Sequence, residues 1–133
     1  MIGIDTNVLL RHTLDDDAVQ SPQVIAFLEN DARGIEPALI SPVVLLAFVW
    51  TLLRRERFRK EEGLALLDVL VSSPHVILTD RLAVTDAFEG RRAGRAGFQD
   101  DLIGSLNRVA GARTTLTFDS EAARHADVSP MPA

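Results

Sequence analysis

Three aspartates stand where they could bind one metal ion together: Asp5, Asp100 and Asp119. Asp5 and Asp119 each follow a short apolar run that predicts a strand, and Asp100 begins a segment with helical spacing. Mg2+ and Mn2+ prefer oxygen ligands, and a nuclease uses such an ion to activate water and stabilise charge on phosphate oxygens. Because an aspartate at the end of an element more often caps a helix, the metal hypothesis requires all three to converge.

Strands and helices alternate along the chain, which predicts an α/β fold. Strands are predicted at Met1–Ile4, Ala38–Ile40, His75–Thr79 and Thr115–Phe118. In the first part of the chain, helices are predicted over Thr6–Thr13, from Ser21 to about Arg33 with Gly34 ending it, from Ser41 to about Arg57, and over Glu61–Val71. In the second part, they are predicted from Asp80 to about Arg95, over Asp100–Ala110 and over Ser120–His125. A proline-containing tail follows. The serines of Ser21-Pro22 and Ser41-Pro42 are the expected N-caps. We expect a mostly parallel central sheet with helices on both faces, and functional groups beyond the carboxyl ends of its strands.

Length and composition favour one cytoplasmic domain. The 133 residues suit a single domain over 1–133, and the absence of cysteine excludes disulfides, thiolate metal sites and cysteine nucleophiles. The opening MIGIDTNVLL lacks the basic region and long apolar run of a signal peptide. The longest strongly apolar stretch, Val43–Leu53, is too short to span a bilayer. We therefore expect no contact with membranes.

Basic residues are clustered although the formal net charge is −5. One cluster is Arg54, Arg55, Arg57, Arg59 and Lys60, and the other is Arg91, Arg92 and Arg95. The second cluster precedes Asp100 by a few residues, so contact with RNA phosphates and an ordinary solvated helix face are equally good interpretations. Aromatic residues do not interleave with either cluster, so RNA recognition would depend on backbone charge and shape more than on base stacking.

Other polar residues have ordinary interpretations. The run Asp15–Asp17 predicts a solvated loop. The three histidines, His12, His75 and His125, lack the spacing of zinc ligands, so a structural or surface role is predicted for each.

Three motifs give the chain a family resemblance. They are "MIGIDTNVLLR", "ISPVVLLAFVWTLLRR" and "GFQDDLIGSLNRVAGARTTLTFD", and in this order and spacing the chain resembles the VapC group of PIN-domain toxins over nearly its whole length. The resemblance implies a single PIN-like domain and a Mg2+- or Mn2+-dependent endoribonuclease. It assigns Asp5, Asp100 and Asp119 as acidic metal ligands, with Thr6 and Asn7 supporting the first of them. Asp101 falls where the family usually has a small or neutral residue.

One motif position departs from the family. Ala47 stands where the VapC group typically has a glutamate. Natural decay and deliberate inactivation of a harmful toxin would both give this substitution, and the intact remaining motif positions favour inactivation. A chain without this carboxylate is expected to have little or no ribonuclease activity.

Partners are also implied. A helix as apolar as Val43–Leu53 is not easily covered by so small a domain, which predicts a homodimer and a groove for a partner segment. The resemblance adds a cognate VapB-like antitoxin, often with an arginine that reaches the acidic site.

Two other classes of function remain open from the residues. The first is a PIN-like module that has lost catalysis and binds RNA or a protein partner, which Ala47 favours. The second is phosphotransfer, since an aspartate after the first strand also opens phosphatases of the haloacid dehalogenase type. Those enzymes have Asp-x-Asp, whereas Asp5-Thr6-Asn7 lacks the second aspartate. Receiver domains need a late lysine, and the only lysine, Lys60, lies mid-chain.

Overall fold

The structure, a computed structural model, describes residues 1–28, 37–92 and 97–133, with only the backbone of Arg91 and Arg92. The contacts within the chain fall into two units, Met1–Thr79 and Asp80–Ala133, and each is described by itself. Parts of the predictions that concern Gly34, Gly94 and Arg95 lie outside the described residues. The α/β class is confirmed, because helices and parallel strands occur in both units.

The first unit contains a three-stranded parallel sheet in the order β1-β2-β3. Its strands are β1 (Ile2–Gly3), β2 (Ala38–Ile40) and β3 (Val76–Leu78). Ile2 pairs with Ala38, and Ala38 pairs with Val76. Beyond β1, the amide of Ile4 still donates to the carbonyl of Leu39 at 3.0 Å, so the chain remains fixed to the sheet up to the residue before Asp5.

Four helices accompany this sheet in the described part of the first unit: α1 (Thr6–Leu14), α2 (Gln20–Ala26), α3 (Pro42–Arg54) and α4 (Lys60–Ser72). Helix α3 contributes three side chains that are completely buried, Leu45, Phe48 and Leu52. It packs against α1 and α4. Its start is as predicted, since the hydroxyl of Ser41 accepts from the amide of Val44 at 3.5 Å and Pro42 occupies the first turn. Its end at Arg54 lies three residues before the predicted one.

The predicted cap of α2 was wrong. Ser21 lies inside the helix and is fully buried, and its hydroxyl accepts from the amide of Asp17 at 3.3 Å. The Asp17 carboxylate accepts instead from the amides of Gln20 and Val19, at 2.7 and 2.9 Å. These bonds, above all the one from Gln20, lower the pKa of Asp17. The serine–proline signal was outweighed because a carboxylate just upstream could satisfy the free amides at the helix start.

The second unit is formed by α5 (Arg81–Arg92), α6 (Phe98–Val109), β4 (Thr115–Thr117), a short 3-10 helix (Ala122–Arg124) and β5 (Val128–Pro130). Helices α5 and α6 pack against each other, with Val84 and Leu102 both completely buried. Strands β4 and β5 are parallel, and Thr115 pairs with Val128. Strand β5 corrects the expected tail: a three-residue strand that ends in proline is too short to leave a periodic pattern in the sequence.

None of the described helices is both long enough and apolar enough to cross a membrane.

The Ser41 cap gives the first prediction. Ser41→Ala should lower the free energy of unfolding by about 0.5–1 kcal/mol, because an amide at the start of α3 loses its acceptor. The measurement is denaturant unfolding followed by circular dichroism. Ser120→Ala, at an exposed position, is the matched control and should leave stability unchanged within about 0.5 kcal/mol. Equal losses in the two variants would contradict the cap.

Candidate metal centre

Asp100 lies in the first turn of α6. The helix begins after Gly97, whose position provides no side-chain cap. The positive end of the helix dipole favours a carboxylate here. Asp100 is nevertheless half-buried, which removes part of the water that would stabilise its charge.

Asp119 follows β4 by two residues and is exposed. Its amide donates to the hydroxyl of Thr117 at 3.0 Å, and its carboxylate accepts from the amide of Glu121 at 2.8 Å. Its carbonyl accepts from the amide of Ala123 at 3.1 Å. These bonds turn the chain sharply from the strand into the 3-10 helix and hold the aspartate at the carboxyl end of β4.

Asp100 and Asp119 are close enough to interact electrostatically. Burial raises the pKa of Asp100, and the negative charges of Asp119 and then Glu121 raise it further. Two of the three predicted ligands, 19 residues apart in the sequence, therefore belong to one acidic cluster of Asp100, Asp119 and Glu121. Glu121 was not predicted from the sequence. Its position two residues after Asp119, in a segment predicted as a short helix, was the available signal.

A cavity of about 170 Å3 opens beside this acidic cluster. Asp100 lines it on the α6 side, together with Ile103, and Thr115 and Thr117 line it on the β4 side. A water molecule takes up roughly 30 Å3 in the liquid, so the space can hold an ion together with several waters. Asp100 is the one carboxylate among the described lining residues, which also include Leu116, Ala122 and Val128, so a Mg2+ or Mn2+ ion in this cavity would keep most of its waters.

The remaining predicted site residues lie in the first unit. Asp5 is exposed and caps α1, with its carboxylate accepting from the amide of Thr6 at 2.7 Å. Asn7, in the first turn of α1, is exposed as well. Ala47 is half-buried in the middle of α3, and its carbonyl accepts from the hydroxyl of Thr51 at 2.8 Å. Because α1 and α3 pack together, Asp5 and Ala47 belong to contacting helices. Convergence of Asp5 with Asp100 and Asp119 stays a prediction.

A second group of potential ligands lies in the Asp80–Ala133 unit. One ligand atom from each of Asp86, His125 and Asp127 lies within 4.8 Å of the other two. These side chains already have partners. Asp86 accepts from the hydroxyl of Ser105 at 2.6 Å, and Asp127 accepts from Arg108 at 2.9 Å.

The ring of His125 also argues against a metal there. Its Nδ1 accepts from the amide of Asp127 at 3.0 Å, so in the neutral ring the proton is on Nε2. A metal would have to displace either that proton or the amide, since a neutral imidazole offers only one lone pair. We therefore interpret the group as structural, with its side chains held by Ser105, Arg108 and the amide of Asp127.

No protein-family model matches the chain, and a search of curated proteins finds no match either. The likeness to the VapC group rests on the sequence motifs. The side chains of Arg91 and Arg92, and Arg95 as a whole, lie outside the described part, so their contact with RNA stays a prediction.

The raised pKa of Asp100 predicts how stability depends on pH. At neutral pH the ionised carboxylate destabilises the fold, and this loss is relieved as pH falls through the raised pKa towards the ordinary value of 3.8. Asp100→Asn should therefore increase the free energy of unfolding at pH 7 in the absence of divalent cations. The gain should be roughly a few tenths of a kcal/mol, because solvent still screens the charges around this half-buried group.

Thermal unfolding at several pH values, with chelator present, measures this effect. The advantage of Asp100→Asn should shrink as pH falls through the raised pKa and be lost below about pH 3, where the aspartate is mostly protonated in both the folded and the unfolded chain. Glu89→Gln, an exposed change on α5, is the control and should show no such dependence. A gain that persists unchanged at low pH would exclude charge repulsion as its cause.

Proposed function

We propose that this chain is a VapC-type toxin, a Mg2+- or Mn2+-dependent endoribonuclease with a single PIN-like domain over residues 1–133, in a form that lacks the glutamate at position 47. The observation that carries the proposal is the packing of α6 beside β4, which brings Asp100 within electrostatic reach of Asp119. These two residues were selected from the sequence as ligands of one ion, and they lie near each other in the folded chain. The proposed location is the cytoplasm.

The charges of the acidic cluster support a cation there. A carboxylate whose pKa is raised by burial and by two negative neighbours is in an unfavourable state when ionised, and a divalent cation would relieve it. Asp100 and Asp119 would hold the ion, together with Asp5 in the PIN-like arrangement. When bound, the ion activates water and stabilises charge on the phosphate oxygens.

The chain's own residues orient that chemistry. Backbone amides fix the two exposed acids. The amide of Glu121 donates to the Asp119 carboxylate, and the amide of Thr6 donates to the Asp5 carboxylate. Asp100 is fixed by its place in the first turn of α6. Asp5 follows β1 and Asp119 follows β4, so both lie past the carboxyl ends of parallel strands, where α/β proteins place functional groups.

With Ala47, the proposed enzyme should have little or no ribonuclease activity. A methyl group cannot supply the charge or the oxygen of a glutamate, so the cation binds less tightly and is held less accurately. The fold tolerates the change, because alanine is the best helix former and needs no hydration in the apolar helix α3.

The exposed face of α3 supports the proposed partners, a second copy of the chain and a VapB-like antitoxin. Val43 and Trp50 lie two helical turns apart on this face and are 74% and 53% exposed. Leu46 and Ala47 lie between them and are half-buried. An apolar stripe of this kind favours a protein contact. Position 47 belongs to it, which would bring an antitoxin close to the proposed catalytic glutamate position.

The alternative is a PIN-like module that binds RNA or a protein without cleaving RNA. The specific observation in its favour is Ala47, which replaces the family's glutamate while the apolar stripe of α3 stays available.

Restoring the carboxylate tests both functions. Ala47→Glu should create RNA cleavage that requires Mg2+ or Mn2+ and stops when a chelator is added. The rate should exceed that of the present chain by roughly a thousandfold, because a charged ligand is regained. The variant should also be toxic when it is expressed without an antitoxin.

Ala47→Gln is the matched control, because it has the size of glutamate without the charge, and it should stay inactive. Equal cleavage by the alanine and glutamate forms would show that position 47 is outside the site. Inactivity of every form, with metal and several RNAs supplied, would favour the binding module.

A further inference from the structure

Buried polar side chains underlie the acidic cluster in the Asp80–Ala133 unit. Asp101 and Ser105 of α6 are completely buried, and His125 is 2% exposed. Asp101 is adjacent to Asp100, and His125 follows Asp119 by six residues. His125 therefore connects the two chain segments that carry the proposed ligands.

The ring of His125 lies directly against α6 at Gly104, one helical turn after Asp100. A Cβ atom at Gly104 would be 2.9 Å from Nδ1 of His125 and 2.9 Å from Cγ2 of Val128, closer than real Cβ atoms approach other atoms. Only glycine lets the helix come this near. The absent side chain at Gly104 therefore lets α6 approach the segment after β4 closely, with the edge of the His125 ring and Val128 both against the helix.

The polar atoms of the ring are also directed. Nδ1 accepts from the amide of Asp127, which places the proton of the neutral ring on Nε2. Nε2 lies 3.9 Å from Oδ2 of Asp86 on α5 and 3.9 Å from Oδ1 of Asp101 on α6. At that distance the attraction is electrostatic, and within the described residues Nε2 has no hydrogen-bond partner.

The same carboxylate of Asp86 accepts from the hydroxyl of Ser105 at 2.6 Å, which ties α5 to α6. One imidazole thus faces acidic groups from both helices while its other nitrogen holds the turn before β5. Helix α5, helix α6 and the segment from Asp119 to Val128 are arranged around this single side chain.

We propose that His125 is a positioning residue for the acidic cluster. The like charges of Asp119 and Glu121 disfavour a close approach of Asp100, at the start of α6, to the loop after β4. The ring of His125, packed on Gly104 and attracted to Asp101, opposes separation of α6 from that loop. This role rests on the proposed metal-dependent function, and it assigns His125 no contact with the metal or the RNA.

The experiment measures Mn2+ affinity by electron paramagnetic resonance, with thermal unfolding in parallel, in the full chain carrying Ala47→Glu. His125→Leu keeps most of the volume and removes both nitrogens, and it should weaken Mn2+ binding about tenfold, as the loss of groups that orient ligands usually does. His125→Gln retains a side-chain donor and should recover most of that affinity. Gly104→Ala keeps the histidine at position 125, but the added Cβ atom forces its ring to move. This variant should also weaken Mn2+ binding.

Val84→Ala is the control for stability alone, because it removes buried volume from α5 and leaves unchanged Asp86, Asp101, Gly104 and Asp127, whose atoms the structure places near the ring. It should lower the unfolding temperature and leave Mn2+ affinity unchanged. If His125→Leu folds and its Mn2+ affinity is unchanged, the positioning role is overturned. If His125→Leu does not fold, an unchanged Mn2+ affinity in Gly104→Ala overturns it. The role is also overturned if His125→Gln binds Mn2+ no more tightly than His125→Leu. It is overturned as well if Val84→Ala weakens Mn2+ binding as much as His125→Leu and Gly104→Ala do.

Failure of the underlying function has a different signature. Asp100→Asn in the same background should abolish Mn2+ binding at this site. If Asp100→Asn has no effect and Ala47→Glu does not cleave RNA, the proposed function is wrong and the positioning role falls with it. If both behave as expected and only the His125 and Gly104 variants do not, the positioning role alone is wrong.

Discussion

The close packing of Gly104 on the ring of His125 is the constraint on which the Asp80–Ala133 unit depends. It lets α6 come near the chain after β4, and so lets Asp100 come near Asp119 and Glu121. Burial of Asp100 and, after it, the like charges of Asp119 and Glu121 raise the pKa of Asp100, so the ionised cluster costs free energy. Packing beneath the cluster must therefore supply the free energy that holds it together. Buried apolar side chains of α5 and α6, such as Val84 and Leu102, contribute most of it.

Much of the fold could be predicted from the sequence, because its signals are local. Helix α3 follows from the Ser41-Pro42 start and its apolar residues, and β1 and β4 follow from short apolar runs that end near an aspartate. The start of α2 could not be predicted in this way. Asp17 was assigned to a solvated loop, and its bond to the amide of Gln20 was not predicted. That Ser21 is buried inside the helix instead depends on the packing of the rest of the unit.

The candidate site was predictable to a similar degree. The sequence identified Asp100 and Asp119 because each marks an element end, and their proximity follows from the packing of α6 beside β4. It did not identify Glu121 or the role of His125. A lone histidine without ligand spacing gives no local signal. Its importance arises from the absent side chain at Gly104, from Asp86 and from Asp101, which only the folded chain brings together.

The strand pairs differ in how much chain they enclose. In the first unit, Ile2 pairs with Ala38 and Ala38 with Val76, so each pairing closes a loop of about three dozen residues. In the second, Thr115 pairs with Val128, and the enclosed loop is about a third as long. Shorter loops lose less entropy on closure, and local contacts form faster than distant ones. The framework around Asp100 and Asp119 should thus form early in folding, while β1 and the neighbouring Asp5 wait for the slower closure of the parallel sheet.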